Sequence, residues 1–333
     1  MKVEKIILSR TDSIGDVVLT LPLAGALKKK FPGASIIFLG TEYTKPVIRA
    51  CKHIDEFMSI EELGMSGTRF RNKGSLIIHV FPVKKIASLA RRLQIPVRIG
   101  TTNRIYHWLT CNKLVRLGRR HSDLHESQLN IKLAKPLGMD SDISLAEIID
   151  LYGLEKIQPL QPAFKELIDP GKYNLILHPR SQGHAREWGS KNFTTLADIL
   201  DKNRYKIFIS GTAAEKTLLQ PLVEALGPAV TDISGLFSLD QFISFIDACD
   251  GIVANSTGPL HIAAAMGKDA IGIYPPMRPV HPGRWGPVGK KAMAFVSKRK
   301  CADCRKDPRA CHCITEILPF TVKDELDGRN KKK

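Results

Sequence analysis

The chain has 333 residues, of which 43% are hydrophobic, and it carries 50 Lys and Arg against 33 Asp and Glu. This length and apolar content suit two domains, each with a buried core. The chain contains no run of 18 apolar residues, and its opening residues lack the apolar core of a signal peptide. We therefore expect a cytoplasmic protein whose contact with any membrane is peripheral.

The positive charge is concentrated in one part of the chain. The 60 residues 63–122 contain 13 Lys and Arg and neither Asp nor Glu. A field of one sign attracts polyanions, such as nucleic acid, an anionic membrane surface or a phosphorylated sugar lipid.

The apolar periodicity predicts strands alternating with helices. In the first half we predict strands at 5–9, 35–39, 75–81 and 96–99, with helices near 17–30, 42–51, 84–93 and 123–137. In the second half we predict strands at 173–178, 205–210, 251–254, 270–274 and 292–296. This alternation is typical of parallel sheets covered by helices, and it predicts two Rossmann-like domains. Prolines within 158–171 mark the expected boundary and an interdomain cleft.

The loop after the first predicted strand contains a candidate general base. It includes the segment Ser13-Ile14-Gly15-Asp16, in which Gly15 permits close backbone approach. Asp16 falls in the first turn of the next helix, where the helix dipole favours an ionised carboxylate. The alternative interpretation is that Asp16 or Ser13 only caps the helix.

Three segments in one order carry a family resemblance. They are residues 10–16, residues 178–193 with Ser181 and Arg186-Glu187-Trp188, and residues 255–267 with Thr257-Gly258-Pro259 and His261. Together they resemble glycosyltransferase family 9, the bacterial heptosyltransferases of the lipopolysaccharide inner core. The resemblance implies an α/β protein of GT-B architecture, with two Rossmann-like domains facing across a cleft. The expected parts are an acceptor-binding domain at 1–160, a nucleotide-sugar-binding domain at 170–315, and a C-terminal helix with a basic tail at 316–333 that packs back on the first domain.

The resemblance also implies roles for individual residues. Asp16 matches the catalytic acid, and Arg186 matches a basic residue beside the donor phosphates. The residues implied in donor binding are Ser181, Gly211, Glu215, Phe237, Ser256, Thr257, Gly258 and His261. Free N–H groups at a helix start bind anions, and a fixed cation stabilises a leaving diphosphate, so the residue types suit these roles. A helix cap at Thr257 and a surface ion pair at Arg186 are the alternatives.

One position departs from the family pattern. Many members have Asp where this chain has Ser256, and that Asp contacts the donor sugar. A hydroxyl accepts fewer hydrogen bonds than a carboxylate, so the identity of the donor sugar stays open.

The basic segment lies where the resemblance places the acceptor. The predicted acceptor-binding residues are Lys84, Lys85, Arg91, Arg92 and Arg120. Inner-core acceptors carry carboxylates and phosphates, which attract such cations.

No cofactor is expected for catalysis. Four cysteines, Cys301, Cys304, Cys311 and Cys313, lie within 13 residues, and this spacing in a cytoplasmic protein favours a structural zinc site over disulfides. Reduced cysteines without metal are the alternative. The Asp140-Ser141-Asp142 segment has the form found in metal-dependent transferases, and we attribute it to chance.

The sequence thus predicts an inverting, metal-independent glycosyltransferase. It would move a sugar to the core oligosaccharide of a lipopolysaccharide precursor. Heptose from ADP-heptose is the first candidate for this sugar. The expected partners are this donor, this acceptor and the anionic inner face of the bacterial inner membrane, and nucleic acid is not expected. One alternative is a sugar-nucleotide epimerase or hydrolase of the same architecture, which would not need the basic segment. Another is a nucleic-acid-binding protein, which would leave Asp16 and Thr257 without a role.

Overall fold

A computed structural model describes residues 2–65, 67–119, 122–140, 142–183, 185–278, 280–298 and 312–330. Its contacts divide the chain into two compact units, Met1–Lys156 and Ile157–Lys333. The division falls just before the proline-containing segment in which the boundary was predicted. Within the described ranges, no helix is long and apolar enough to cross a membrane.

The first unit is built on a six-stranded parallel sheet. Its strands are β1 (Lys5–Ser9), β2 (Ser35–Leu39), β3 (Glu56–Met58), β4 (Ser75–His79), β5 (Val97–Thr101) and β6 (Lys113–Val115). Its helices are α1 (Ile14–Val18), α2 (Leu21–Lys30), α3 (Lys45–Ala50), α4 (Ile60–Met65), α5 (Lys84–Arg92), α6 (Ile105–Thr110), α7 (Glu126–Lys132) and α8 (Leu145–Ile149). The strand order is β3-β2-β1-β4-β5-β6.

The second unit repeats this arrangement with another six-stranded parallel sheet. Its strands are β7 (Tyr173–His178), β8 (Tyr205–Ile209), β9 (Thr231–Asp232), β10 (Gly251–Asn255), β11 (Asp269–Tyr274) and β12 (Ala292–Val296). Its helices are α9 (Pro162–Lys165), α10 (Ser190–Ile199), α11 (Lys216–Leu226), α12 (Leu239–Ala248), α13 (Gly258–Ala265), α14 (Pro282–Trp285), α15 (His312–Thr315) and α16 (Pro319–Asn330). The strand order β9-β8-β7-β10-β11-β12 matches that of the first unit, and both are the order of a Rossmann fold.

All nine predicted strands are present, because strands buried on both faces need continuous apolar runs that are visible in the sequence. β4, β7 and β10 are buried along their whole length. Three short strands, β3, β6 and β9, were not predicted. Each lies at the edge of its sheet and is only partly buried, so its sequence lacks a long apolar run.

The single helix predicted at 17–30 is two helices. α1 ends at Val18, α2 begins at Leu21, and Pro22 stands in the first turn of α2. Proline has no N–H and suits a helix start, so the break precedes it. Because α1 begins at Ile14, Asp16 lies in its first turn.

The C-terminal helix, α16, contributes to the core of the second unit. It spans Pro319–Asn330, within the predicted range 316–333, and its Val322 and Leu326 are buried. Asp327 accepts hydrogen bonds from Arg204 and Tyr205 at 3.2 and 3.0 Å, which fixes the helix beside β8. Its apolar side chains therefore belong to the second core.

Buried histidines end the central strands β4 and β7. Burial lowers the pKa of His79 to about 3 and that of His178 to about 4. His178 Nδ1 lies 2.9 Å from Ser210 Oγ, whereas neither ring nitrogen of His79 has a hydrogen-bond partner among the described residues. Both rings are held neutral by the fold.

We expect acid to destabilise the first unit through His79. The unfolded ring binds a proton near pH 6.5 and the folded ring only near pH 3, so the free energy of unfolding falls as the pH drops below 6.5. Between pH 7.5 and 5 this loss is about 2 kcal/mol for one such histidine. Urea unfolding at both pH values should show a smaller loss in His79→Leu. An equal loss in the variant would contradict this origin.

Candidate functional site

The strand order fixes where ligands can bind in each unit. The chain leaves β1 and β4 in opposite directions across the first sheet, and does the same from β7 and β10 in the second. Ligands of such sheets bind at this switch point, outside the carboxyl ends of the strands. Both predicted catalytic residues and five of the eight predicted donor-binding residues lie in the loops after β1, β7 and β10 or in the helices that follow these loops.

In the first unit, Asp16 is held at the start of α1. Ser13 caps the helix, and its Oγ donates to Asp16 Oδ2 at 2.6 Å while accepting from the Asp16 backbone N–H at 3.5 Å. The Asp16 side chain keeps 19% of its surface exposed. Its carboxylate is therefore oriented and still open to a ligand.

A buried arginine, Arg10, joins the acidic groups of this loop. Its side chain is 3% exposed and makes ion pairs with Asp12 at 2.8 Å, with Glu126 at 3.3 Å and with Asp16. Burial opposes the charge of Arg10, but attraction to Asp16, Asp12 and Glu126 raises its pKa above the ordinary value. Burial raises the pKa of Asp12, against the attraction of Arg10. One guanidinium thus anchors three carboxylates.

Helix α7 contributes the side chains of Glu126 and Asn130 to this cluster. Asn130 Oδ1 accepts from Arg119 at 2.9 Å, and its Nδ2 donates to the Leu19 carbonyl at 3.1 Å. Arg119 also pairs with Glu126 at 3.3 Å. Sequence reasoning assigned no role to Arg10, Glu126 or Asn130. The only signal was the helical spacing of Glu126 and Asn130, which does not reveal that the two side chains are buried.

In the second unit, Asn255 ties together the loops that follow β7 and β10. Its Oδ1 accepts from the Trp188 backbone N–H at 2.8 Å, and its Nδ2 donates to the Pro179 carbonyl at 2.7 Å. Trp188 is fully buried, and its indole donates to the Ile317 carbonyl at 2.8 Å. The loop that carries Arg186 is therefore fixed next to the loop that carries Thr257.

Glu187 stabilises the loop that follows β7. Its Oε1 accepts from the Ser181 backbone N–H and from Ser181 Oγ, both at 2.9 Å, and its Oε2 pairs with Arg180 at 2.8 Å. Ser181, predicted to bind the donor, thus also shapes the loop. By contrast, Arg186 Nε is buried without a hydrogen-bond partner in the described part of the chain.

The start of helix α13 also has a buried side-chain hydrogen-bond donor. Thr257 is its N-cap residue, yet no side chain caps the helix, and Thr257 Oγ1 is buried without a partner among the residues described. Gly258 and Pro259 form the first turn, and His261 is buried on the same helix. The free N–H groups of this turn, with Thr257 Oγ1 and Arg186 Nε, are donors that suit an anion such as a phosphate.

Glu215 joins the loops after β7 and β8. It is buried, and its carboxylate accepts from Gln182 N at 3.1 Å, from Thr212 N at 2.9 Å and from Thr212 Oγ1 at 2.9 Å. Gly211 packs closely here, since a Cβ atom at this position would lie 2.5 Å from Leu219 Cδ1. Glu215 thus has a structural role in addition to its predicted role in donor binding.

The remaining predicted donor residues lie in the neighbouring loops. Phe237 is half-buried, with its ring centroid 4.6 Å from that of Phe164 and 4.8 Å from that of Phe245. Ser256 directly follows β10, and the buried hydroxyl of Tyr274 donates to the Trp285 carbonyl at 2.7 Å. Burial raises the pKa of Tyr274.

Other predicted residues lie elsewhere or outside the described ranges. Lys84, Lys85, Arg91 and Arg92 are exposed on α5. Arg120, Cys301, Cys304 and Cys311 fall outside the described residues, whereas Cys313 is described and buried. Among the described residues, no three His, Cys, Asp or Glu side chains form a cluster that could hold a metal ion. Asp140 and Asp142 form a local turn, in which Asp142 N donates to Asp140 Oδ1 at 3.0 Å.

Comparisons with known proteins agree with this fold. The chain is similar to a glycosyl transferase family 9 structure from Veillonella parvula, with a TM-score of 0.78 and 19% identity over 100% of this chain and 99% of the other. It is also similar to the E. coli heptosyltransferase WaaC with ADP, with a TM-score of 0.71 and 18% identity over 98% and 99% of the two chains. The fold is therefore GT-B.

The sequence comparisons identify the family. The chain is 23% identical to lipopolysaccharide heptosyltransferase 2 of Salmonella typhimurium over 305 residues, which are 83% of this chain and 84% of the relative. The profile of glycosyltransferase family 9 (heptosyltransferase) matches residues 76–315. The protein is a glycosyltransferase and belongs to this family. The profile match includes Arg186 and Thr257, whereas Asp16 lies before it.

We expect Arg10→Met to destabilise the first unit by about 3–5 kcal/mol, because it removes the buried cation that three carboxylates share. Adding Glu126→Gln should recover part of the loss, since it removes the most deeply buried of the three charges. Denaturant unfolding measures both. The control is Arg49→Met, which replaces an exposed arginine of the same unit. Equal losses in Arg10→Met and Arg49→Met would contradict the anchoring role.

Proposed function

We propose that this protein transfers heptose from ADP-heptose to the core oligosaccharide of a lipopolysaccharide precursor, with inversion at the sugar and without a catalytic metal ion. The family supports the transfer reaction, and the Salmonella typhimurium relative is a lipopolysaccharide heptosyltransferase. The E. coli heptosyltransferase was solved with ADP and with ADP-2-deoxy-2-fluoro heptose, which supports an ADP-sugar as donor.

One observation carries the donor assignment. Thr257 Oγ1 and Arg186 Nε are buried donors without partners among the described residues, and they belong to loops that Asn255 holds together beside the uncapped start of α13. A buried donor without an acceptor is unfavourable by about 1–3 kcal/mol, so these groups favour a bound acceptor. The diphosphate of a nucleotide sugar supplies oxygens that such groups can bind.

The proposed reaction is a single displacement. Asp16 accepts the proton of the acceptor hydroxyl while its oxygen forms a bond to the anomeric carbon of the donor sugar. The bond from that carbon to the diphosphate oxygen breaks on the opposite side, which inverts the configuration. Arg186 and the start of α13 stabilise the negative charge that develops on the leaving diphosphate. This fixed positive charge takes the part that a metal ion has in other transferases.

Arg10 has a supporting role in this mechanism. Its ion pairs hold Asp16 from one side while Ser13 holds it from the other, so the carboxylate is oriented before the acceptor arrives. Holding a base in one orientation is a large part of what an enzyme contributes to proton transfer.

The donor sugar meets a hydroxyl at Ser256. A hydroxyl accepts fewer hydrogen bonds from the sugar than a carboxylate would. We therefore propose ADP-heptose or a related nucleotide sugar as the donor.

We place the enzyme in the cytoplasm, on the inner face of the bacterial inner membrane, where the acceptor is assembled. The exposed cations Lys84, Lys85, Arg91 and Arg92 on α5 support contact with an anionic acceptor or membrane. A structural zinc at Cys301, Cys304, Cys311 and Cys313 stays a prediction.

For the base, we expect Asp16→Asn to lower turnover by roughly 10² or more, because the amide cannot accept the proton. Binding of the donor should change little, since the site assigned to the donor lies in the second unit. The measurement is steady-state transfer with a lipid-linked acceptor. The matched control is Asp12→Asn, which alters another carboxylate of the Arg10 cluster and should retain much more activity. Near-normal turnover in Asp16→Asn would exclude its role as the base.

For the donor site, calorimetry should show ADP binding in the presence of EDTA. We expect Arg186→Ala and Thr257→Val each to weaken this binding by roughly tenfold, the loss of one hydrogen bond to a charged group. Lys191→Ala, at an exposed lysine nearby in sequence, should leave it unchanged. A strict requirement for magnesium would overturn the metal-independent mechanism.

A further inference from the structure

Helix α6 exposes an apolar face. Ile105, Trp108 and Leu109 are 85%, 62% and 69% exposed, and their spacing of three and four residues places them on one side of the helix. His107 and Thr110 are buried on the other side. This distribution is the reverse of that of a surface helix in water, whose exposed side is polar.

The residues around this face are cationic. Arg104 precedes α6 and is exposed, as is Lys113 beyond its end, and Arg98 Nε donates to the Thr110 carbonyl at 2.7 Å. Helix α5 packs against α6 and exposes the cations Lys84, Lys85, Arg91 and Arg92. Residues 63–122, which include both helices, contain no acidic residue. An apolar face with a cationic border is complementary to an anionic lipid surface.

The indole N–H of Trp108 has its hydrogen-bond acceptor within the protein. Its indole Nε1 donates to the Thr102 carbonyl at 3.1 Å, within the protein. The ring can therefore leave water without losing the hydrogen bond of its N–H group. Tryptophan with neighbouring Lys and Arg is the usual composition of a protein segment at the membrane–water interface.

We propose that α6 is a membrane anchor, in which Ile105, Trp108 and Leu109 insert at the boundary between headgroups and acyl chains of an anionic bilayer. The cations of α5 and those that flank α6 then contact the lipid headgroups. The proposal rests on the proposed function, which places the acceptor in a membrane. It adds that binding is partly apolar, so salt alone should not abolish it.

The test uses the full chain and sedimentation with vesicles of phosphatidylglycerol and phosphatidylcholine in equal parts. The variant Ile105→Ser/Trp108→Ser/Leu109→Ser should bind at least roughly tenfold more weakly, since it removes the inserted apolar area. The variant Lys84→Gln/Lys85→Gln/Arg91→Gln/Arg92→Gln should also bind more weakly, and its residual binding should depend less on salt. Vesicles of phosphatidylcholine alone should bind the wild-type chain weakly.

The matched control replaces exposed apolar residues elsewhere. Leu218, Leu318 and Phe320 are 56%, 63% and 59% exposed in the second unit, and the last is followed on α16 by Asp324 and Glu325. Changing these three to Ser should leave binding to vesicles unchanged. Thermal unfolding followed by circular dichroism shows whether each variant is folded.

Trp108 also provides a direct probe of insertion. Brominated lipids should quench its fluorescence in the wild-type chain, whereas Trp108→Phe should bind to vesicles nearly as well and lose the quenching.

Binding of the α6 triple variant equal to wild type would overturn the proposal, and so would quenching that persists in Trp108→Phe. A wild-type oligomer that the triple variant converts to monomer would also overturn it, because the face would then be an interface between copies.

Transfer to a lipid-free acceptor oligosaccharide separates this proposal from the proposed function. The α6 triple variant should transfer to that acceptor as the wild-type chain does. If the wild-type chain fails with every such acceptor, the proposed function fails, and the vesicle experiments still decide whether α6 binds lipid.

Discussion

Both units depend on one constraint, which is that all strands of a parallel sheet end at the same edge. Because β1 and β7 lie at the centre of their sheets, the loops after them meet the loops after β4 and β10 at a switch point. Polar residues that are far apart in the chain are thereby brought together outside the strand ends. In the second unit, Asn255 turns this proximity into a fixed arrangement by hydrogen-bonding to the β7 loop.

The two switch points differ in how their polar groups are satisfied. In the first unit, Arg10 is saturated by carboxylates, and both Arg10 and Arg119 also donate to Asn130. Such a network resists rearrangement, because breaking any pair leaves a buried charge. In the second unit, Thr257 Oγ1 and Arg186 Nε lack partners among the described residues. The first arrangement suits a residue that must keep one orientation, and the second suits a site that receives an anion.

The Lys and Arg residues of the first unit also include two groups, one exposed and one paired with carboxylates. The acid-free segment 63–122 provides the exposed cations of α5, yet Arg119 from the same segment is directed to Glu126 and stabilises the core of the Asp16 loop. Composition alone does not separate these two uses of arginine. Exposure does, because a cation in water attracts distant anions while a buried one is neutralised by its neighbours.

The sequence by itself determined the alternation of strands and helices, the two-unit organisation and the family, because apolar runs and the segments around Asp16, Arg186 and Thr257 are local patterns. It also placed Asp16 at a helix start. The tertiary structure alone decided that Arg10 and Glu126, 116 residues apart, pair in the interior, and that α16 joins the second core. It also decided that α6 exposes Trp108 while burying His107. A sequence pattern records which residues are apolar or charged, whereas burial and pairing depend on which distant segment packs against them.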